Sequence, residues 1–324
     1  MRTAALLPTP GDPFVVSYWL RNYERVWRGE VDELHVLVNG QTDRDASAFV
    51  LVAIEALPEA RARWTIHRLG HGEALRGLVD DCGADIVVLM EDDAYVRKPG
   101  AVRRALERVA DNPDSVVGSP RGGMSPEVGE AALARFGPVI GPDGSEGHGL
   151  WPAFLFARRL DLAIASAVAG LESRSWAPGE PVPGIDVAFD REVTTDTLTA
   201  AAFVLRSRCR VFLAPQHKEL WQKDLSLSSD PPWFHAGGLS NADLLAGVPD
   251  HAPRDVGGTN EGLDWAHRCW WWRRAVDSAG DRAPDLAARY RASFDELVAR
   301  AGIAEQLASW DAALPPWISW DDRA

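Results

Sequence analysis

The first 90 residues alternate between short apolar runs and longer segments whose apolar residues recur at helical spacing. This pattern predicts strands over Thr3–Leu7, Leu34–Val38, Trp64–His67 and Ile86–Met90. It predicts helices beginning at Asp12-Pro13, over residues 46–57 and over Gly72–Asp81. The last of these strands is apolar throughout, which is typical of a strand buried on both faces of a parallel sheet. The sequence therefore predicts an α/β fold with a mostly parallel central sheet flanked by helices.

The same alternation continues downstream and then gives way to helical patterns alone. The pattern predicts a helix over Gly100–Asp111, a strand over Ser115–Gly118, a strand leading into a helix within residues 147–162, a helix over Thr197–Arg206 and a strand over Arg210–Ala214. The stretches 137–149 and 177–184 are rich in Pro and Gly and indicate long loops. We expect residues 1–245 to form the α/β domain and residues 246–324 to form a Trp-rich helical extension packed on it.

Tryptophan is concentrated toward the end of the chain, where nine of the 14 tryptophans follow residue 220. Trp270, Trp271 and Trp272 are consecutive, and neighbours on a helix point about 100° apart. We therefore expect some of them to be buried against the α/β domain and another to face a groove, a partner or a second subunit. A packing role is favoured over an acceptor platform, and a homodimer could form through these helices.

Acidic residues outnumber basic ones by 47 to 34, and the net charge is −13. This balance argues against nucleic-acid binding, which depends on cationic contacts with phosphate. The three cysteines are far apart and form no CxxC pair, which fits a reducing compartment. No apolar run approaches the roughly 18 residues of a membrane span, and Met1–Leu7 is too short for a signal peptide. We expect a cytoplasmic protein.

Three adjacent acids, Glu91, Asp92 and Asp93, directly follow the apolar strand Ile86–Met90. Adjacent carboxylates repel one another, and a divalent cation such as Mg²⁺ or Mn²⁺ would offset this repulsion and bridge to a substrate diphosphate. The alternative is a solvated loop with incidental acids. The chain contains no GxxxxGK[ST] loop and no GxGxxG after its first strand, which disfavours a P-loop nucleotidase and a dinucleotide oxidoreductase.

The segment ADIVVLMEDDAYV (residues 84–96), preceded by the loop LLPTPGDP (residues 6–13), resembles the GT-A glycosyltransferases. The cytoplasmic family-2-like enzymes, which use nucleotide-diphosphate sugars, are the most similar, and the resemblance covers roughly residues 3–240. It implies a GT-A (Rossmann-like) catalytic domain whose first half binds the nucleotide sugar and whose second half binds the acceptor. The acidic triplet then corresponds to the Asp-x-Asp (DxD) motif or a variant of it, with Asp93 as metal ligand and Glu91 and Asp92 facing the ribose and the sugar.

The resemblance also implies residues that contact the donor. Pro8, Thr9 and Asn39 match positions that hold the base, although the usual residue at position 39 is an acid. Arg76 is a candidate for contact with the diphosphate or the base, and the alternative is a surface charge. Trp151 and Arg121 are candidates for contact with the sugar or the acceptor, and a core position is the alternative for Trp151.

In inverting relatives the general base is an acid immediately before a helix, and Asp196 occupies that place. It could instead serve only as the helix N-cap. The usual Glu-Asp pair reads Thr195-Asp196 here, so nearby acids (Asp186, Asp190 and Glu192) are possible substitutes. Retention of the anomeric configuration stays open.

A single histidine in PPWFHAGGLSNADLL (residues 231–245) matches a further metal ligand that GT-A enzymes often supply after the core sheet. This residue is His235, and His217 is its competitor. A plain loop histidine is the alternative.

Together these features predict a glycosyltransferase that depends on Mn²⁺ or Mg²⁺ and moves a sugar from a UDP- or GDP-sugar to an acceptor hydroxyl. Two alternatives stay open. A sugar nucleotidyltransferase is disfavoured because the loop LLPTPGDP has no basic residue. A non-catalytic sugar-binding or scaffold protein on a GT-A fold would account for the departures at Asn39 and Thr195.

Overall fold

The computed structural model describes residues 1–119, 123–140, 146–147, 149–213, 233–235, 259–305 and 307–308. Its helices are α1 (Pro13–Asn22), α2 (Arg44–Glu55), α3 (His71–Asp81), α4 (Ala101–Asp111), α5 (Pro126–Phe136), α6 (Arg159–Ala169), α7 (Thr199–Arg208), α8 (Thr259–Ala279) and α9 (Pro284–Ala301). Its strands are β1 (Thr3–Thr9), β2 (Glu33–Asn39), β3 (Ala60–Thr65), β4 (Ile86–Met90), β5 (Ala94–Val96), β6 (Ser115–Ser119), β7 (Val139–Ile140), β8 (Glu146–Gly147), β9 (Trp151–Arg158), β10 (Arg174–Trp176), β11 (Pro181–Val182), β12 (Val187–Ala188), β13 (Val193–Thr195), β14 (Arg210–Leu213) and β15 (Trp233–His235).

A seven-stranded sheet forms the centre of the described structure, with strand order β14-β6-β9-β4-β1-β2-β3. Strand β9 runs antiparallel to both of its neighbours, whereas the remaining pairs are parallel. Helical crossovers join β1 to β2, β2 to β3 and β3 to β4, as parallel pairing requires. The predicted fold class, a mostly parallel α/β sheet flanked by helices and followed by C-terminal helices, is confirmed.

The two faces of the sheet bury separate apolar clusters because successive side chains of a strand point to opposite faces. Ala5 and Leu7 of β1 pack on one face with residues of α1, α2, α4, α8 and α9. Ala4 and Leu6 pack on the other face with residues of α3, α5, α6 and α7. The C-terminal helices therefore share a core with the first half of the chain.

The order of the strands reverses at β1. Strand β2 pairs with one edge of β1 and β4 pairs with the other edge, both in parallel. Ligands of open α/β sheets bind in the crevice that such a reversal creates beyond the carboxyl ends of the strands. Thr9 ends β1 and Glu91 follows β4, so both lie at this crevice.

Helix α1 begins as the sequence predicts. The Asp12 carboxylate accepts hydrogen bonds from the backbone N–H groups of Phe14 and Val15, and Pro13 occupies the first helical position. The helix continues into a π-helical turn over Tyr23–Trp27, which the periodicity does not predict.

The expectation that one of the three consecutive tryptophans faces a groove or a partner is wrong. Trp270, Trp271 and Trp272 are all buried in the core that holds α1. A helix covered on one side only would leave one of three consecutive residues exposed. Helix α8 is instead covered on two sides, by α1 and by α9. The predicted domain boundary at 245/246 lies outside the described residues.

Three local predictions also differ from the structure. The third strand is Ala60–Thr65, earlier in the chain than the predicted Trp64–His67, and the helix predicted over Thr197–Arg206 begins only at Thr199. Helix α5 lies in a segment for which the sequence predicted no element. In the described part of the chain, no helix has the length and apolarity needed to cross a membrane.

Candidate active site

Three side chains with metal-binding chemistry meet at the end of β4. Glu91 and Asp93 follow this strand, and β15 pairs antiparallel with β5 so that His235 lies opposite Ala94. The His235 Nε2 atom is 3.0 Å from Glu91 Oε2 and 3.0 Å from Asp93 Oδ1. Pairing between β5 and β15 thus brings together residues that are more than 140 positions apart in sequence.

The chemistry of this group fits a divalent cation. One ligand atom from each of Glu91, Asp93 and His235 lies within 4.8 Å of the other two. Two carboxylate oxygens and one imidazole nitrogen suit Mn²⁺ well, and Mg²⁺ accepts the carboxylates readily. Asp93 and His235 are almost fully buried, so the carboxylate charge has little water to solvate it. A cation would supply the missing counter-charge.

The electrostatics of the group reflect this crowding. Burial by itself lowers the pKa of His235, but Asp93 and Glu91 outweigh burial and raise that pKa from 6.5 to about 9. Burial, together with the charge of Asp93, raises the pKa of Asp92 well above its ordinary value. Both shifts favour the protonated forms of His235 and Asp92.

Asp92, the middle acid of the triplet, points to the neighbouring strand β1. Its Oδ2 accepts a hydrogen bond of 2.6 Å from the Thr9 hydroxyl, and the Thr9 Oγ1 in turn accepts one of 3.0 Å from the Gly11 N–H. Asp92 Oδ1 is buried without a hydrogen-bond partner among the described residues. The hydrogen bond between Thr9 and Asp92 connects the carboxyl end of β1 to that of β4, at the point where the strand order reverses.

The loop after β1 is tightly packed. Gly11 has a φ of +82°, and a Cβ atom there would lie 2.7 Å from Val38 Cγ1. The Gln41 side-chain amide donates a 2.8 Å hydrogen bond to the Gly11 carbonyl oxygen. Pro8, in β1 itself, is buried and lies opposite Leu37 in the sheet register.

Asn39, at the end of β2, uses its side chain within the protein. Its Nδ2 donates to the Leu69 carbonyl oxygen, and its Oδ1 accepts from the Leu69 N–H at 2.7 Å and from the Thr65 hydroxyl at 3.0 Å. An acid at this position would lack the Nδ2 donor to the Leu69 carbonyl oxygen.

Arg76 and His71 both lie on α3 but have different neighbours. Arg76 forms an ion pair of 3.2 Å with Glu172, whereas His71 Nε2 is 3.8 Å from Glu91 Oε1. Of the two, His71 is the one that lies beside the acidic triplet, and the sequence pattern did not point to it. The sequence feature that could have pointed to His71 is its position at the start of the helix that precedes the acidic strand.

Asp196 is exposed and lies before α7. Its Oδ1 accepts a hydrogen bond of 2.9 Å from the Ser173 hydroxyl and one of 2.7 Å from the Thr197 N–H. Leu198 is the N-cap residue of α7, so the alternative in which Asp196 is merely that N-cap does not hold. Ser173 is a neighbour that the sequence reasoning missed.

Two candidates for contact with the sugar or the acceptor fall partly or wholly outside the described structure. The backbone of Trp151 begins β9 opposite Ser119, and its side chain lies outside the described part. Arg121 and the competitor His217 also lie outside the described residues.

No protein-family model and no curated protein matches this chain. Solved structures do match. A mycobacterial protein is 24% identical, with 55% of this chain and 58% of that chain covered and a TM-score of 0.36. Glucosyl-3-phosphoglycerate synthase from Mycobacterium tuberculosis, in complex with Mn²⁺, uridine diphosphate and glucosyl-3-phosphoglycerate, is 24% identical, with 55% and 61% covered and a TM-score of 0.36.

A third match is 4-diphosphocytidyl-2C-methyl-D-erythritol synthase from Anaerococcus prevotii, which is 10% identical, with 51% of this chain and 74% of that chain covered and a TM-score of 0.34. The chain thus spans less than two thirds of the length of the two mycobacterial structures. At these identities and TM-scores the likeness transfers neither a family nor an activity to this chain.

Proposed function

We propose that this protein is a metal-dependent glycosyltransferase that moves a sugar from a nucleotide-diphosphate sugar to an acceptor hydroxyl. The observation that carries the proposal is the meeting of Glu91, Asp93 and His235 at the crevice beside β1 and β4. This is where an open α/β sheet binds its ligands, and these side chains would attract a cation together with a phosphate ligand.

Different residues of the site would bind different parts of the donor. Glu91, Asp93 and His235 would hold Mn²⁺ or Mg²⁺, which when bound would supply positive charge to the leaving nucleoside diphosphate. This assigns Glu91 to the metal and not to the ribose or the sugar, as the resemblance implied, because its Oε2 lies 3.0 Å from His235 Nε2. Thr9 and Asn39 end β1 and β2, and together with the preceding Pro8 they would shape the place where the base binds. Asp92, held by Thr9, would face the ribose or the sugar, and Arg76 is a further candidate for the diphosphate or the base.

Asp196 would act on the acceptor if the reaction inverts the anomeric centre. Its carboxylate is exposed, and its Oδ1 is oriented by Ser173 and Thr197. The other oxygen would accept the proton of the acceptor hydroxyl as that hydroxyl attacks the anomeric carbon. Trp151 and Arg121 are the candidates for contact with the sugar or the acceptor.

The proposal is tested by turnover of UDP- and GDP-sugars with Mn²⁺, with Mg²⁺ and with EDTA. We expect turnover only with metal, and we expect Asp93→Asn to lower it at least about 100-fold because a metal ligand contributes several kcal/mol of charge stabilisation. Asp80→Asn, which removes an exposed carboxylate from α3, is the matched control and should keep wild-type turnover.

The other outcomes identify the alternatives. Turnover that persists in EDTA and in Asp93→Asn would rule out the metal role. Donor binding without hydrolysis or transfer would favour a scaffold protein. Formation of a sugar nucleotide from a nucleoside triphosphate and a sugar phosphate would favour a nucleotidyltransferase.

A further inference from the structure

A tryptophan of the C-terminal helices contacts the loop that leads into α1. The Trp272 indole N–H donates a hydrogen bond of 2.9 Å to Asp12 Oδ2, and both residues are buried. The two residues are 260 positions apart in sequence. This bond ties helix α8 to the loop between β1 and α1.

Asp12 has three hydrogen-bond donors for its two oxygens. Oδ1 accepts from the backbone N–H groups of Phe14 and Val15, each at 3.0 Å, and Oδ2 accepts from Trp272. A buried carboxylate that loses a donor bears a desolvation cost, so the loop position depends on the bond from Trp272.

Only Pro10 and Gly11 separate Asp12 from Thr9, and two hydrogen bonds hold Gly11. Gly11 donates its N–H to Thr9 Oγ1 and accepts a hydrogen bond from Gln41. Thr9 donates in turn to Asp92 Oδ2. A continuous series of hydrogen bonds and short backbone links therefore runs from Trp272 to the middle acid of the triplet.

The Trp272 indole is itself fixed in orientation. Its ring stacks with Tyr290, at a centroid distance of 5.8 Å, and with Phe294, at 5.7 Å, both on α9. Tyr290 also makes an edge contact with Phe14 in the first turn of α1. These two ring contacts restrict rotation of the indole while its N–H group donates to Asp12, which makes Trp272 a preorganised donor.

We propose that Trp272 is a positioning residue for the nucleotide-sugar site: its indole N–H holds Asp12, and Asp12 sets the loop that places Thr9 against Asp92. The inference rests on the proposed function for the nature of the ligand. It gives the C-terminal helices a role in donor binding without a contact with the donor.

The test compares two variants that remove the same indole atoms from the same core. Trp272→Phe removes the donor to Asp12. Trp19→Phe is the matched control because Trp19 is also fully buried and its Nε1 has no hydrogen-bond partner among the described residues. Calorimetry measures binding of UDP and of GDP with Mn²⁺, and hydrogen exchange measures protection of the Gly11, Phe14 and Val15 amides.

We expect Trp272→Phe to weaken binding of whichever of UDP–Mn²⁺ or GDP–Mn²⁺ the wild type binds by at least about tenfold, as for a lost hydrogen bond to a charged group, and to speed exchange at the three amides. Trp19→Phe should leave the exchange rates and binding within about threefold of wild type. Equal effects of the two variants on binding and exchange, at matched thermal stability, would overturn the proposal.

A second variant keeps the test decisive if Trp272→Phe does not fold. Asp12→Asn changes one atom and leaves a single acceptor oxygen for three donors, so it should reproduce the effects of Trp272→Phe. In the double variant the two effects should not add, because they remove the same bond; full additivity would contradict the proposal. Failure of the wild type to bind either nucleotide with Mn²⁺ would reject the proposed function, and the exchange comparison would still decide whether Trp272 holds the loop.

Discussion

At the scale of single residues, the role of Asp196 can be separated from that of its acidic neighbours. We expect Asp196→Asn to lower the rate of transfer by about 100-fold or more. An amide cannot take the proton from the acceptor hydroxyl as a carboxylate does. Donor binding should be unchanged because the proposed metal ligands are not altered. Transfer and UDP–Mn²⁺ binding are measured on the same preparations.

Asp190→Asn is the control for this prediction. Asp190 is exposed and lies six positions before Asp196 in the same segment. Transfer should be close to wild type in this variant. If transfer is lost in Asp190→Asn and retained in Asp196→Asn, the general base is Asp190.

The residues of the site differ in how far the sequence could predict them. The acidic triplet follows an apolar strand directly, so charge repulsion and strand placement are sufficient to point to it. His235 was selected through the resemblance, and its contact with Asp93 depends on the pairing of β15 with β5. The bond between Trp272 and Asp12 leaves no local signal, because only tertiary packing brings the two residues together.

At the scale of elements, the β1–α1 loop requires glycine at position 11 for two reasons that can be measured separately. Gly11 has a φ of +82° and Gly29 has a φ of +80°, so alanine bears a similar backbone strain of about 1 kcal/mol at either position. A Cβ atom at Gly11 would also meet Val38 and Gln41, whereas none of the described residues has an atom within 4 Å of a Cβ atom at Gly29.

We therefore expect Gly11→Ala to destabilise the protein by about 1–3 kcal/mol more than Gly29→Ala does, because steric overlap adds to the strain. Urea unfolding of the two variants measures this difference. Gly11→Ala should also weaken nucleotide binding because the Gly11 N–H bonds to Thr9. Equal destabilisation by the two variants would show that the loop can relax around the added methyl group.

Helices with regularly spaced large apolar residues were predictable from the sequence pattern, whereas helix α5 was not. Helices α2 and α3 bury regularly spaced Val, Ile and Leu side chains, which the sequence pattern detects. Helix α5 buries Val128, Gly129 and Ala132, and two of these three residues give little apolar signal. The antiparallel direction of β9 could not be predicted from periodicity either. The direction of a strand depends on the path that the chain takes between elements.

At the scale of the whole molecule, the C-terminal helices and the first half of the chain form a single core. The Trp271 ring stacks with the ring of Tyr95, which follows the acidic triplet. It also lies close to the ring of Tyr18 of α1. The acidic segment is thus supported on one side by its own sheet and on another by α8. This arrangement explains why three consecutive tryptophans can all be buried, which the angle between helical neighbours alone does not suggest.

The stability of the whole molecule should depend on pH through His235 when metal is removed. Its pKa is about 9 in the folded protein and 6.5 in a free side chain, because Asp93 and Glu91 face it from the β4–β5 turn. The folded state therefore holds the proton more tightly than the unfolded state. The resulting stabilisation is fully present below pH 6.5 and is lost as the pH rises through about 9.

In EDTA, the free energy of unfolding of the wild type should fall between pH 6.5 and pH 9 by up to about 3 kcal/mol relative to His235→Gln, whose side chain does not titrate. Urea unfolding at four pH values measures the two slopes. The raised pKa of Asp92 also contributes stability that is lost as the pH rises above the ordinary range of a carboxyl group, and Asp92 is present in both proteins. Saturating Mn²⁺ should reverse the trend in the wild type because metal binding needs the neutral imidazole. Parallel slopes for wild type and His235→Gln in EDTA would show that the carboxylates do not hold a proton on His235.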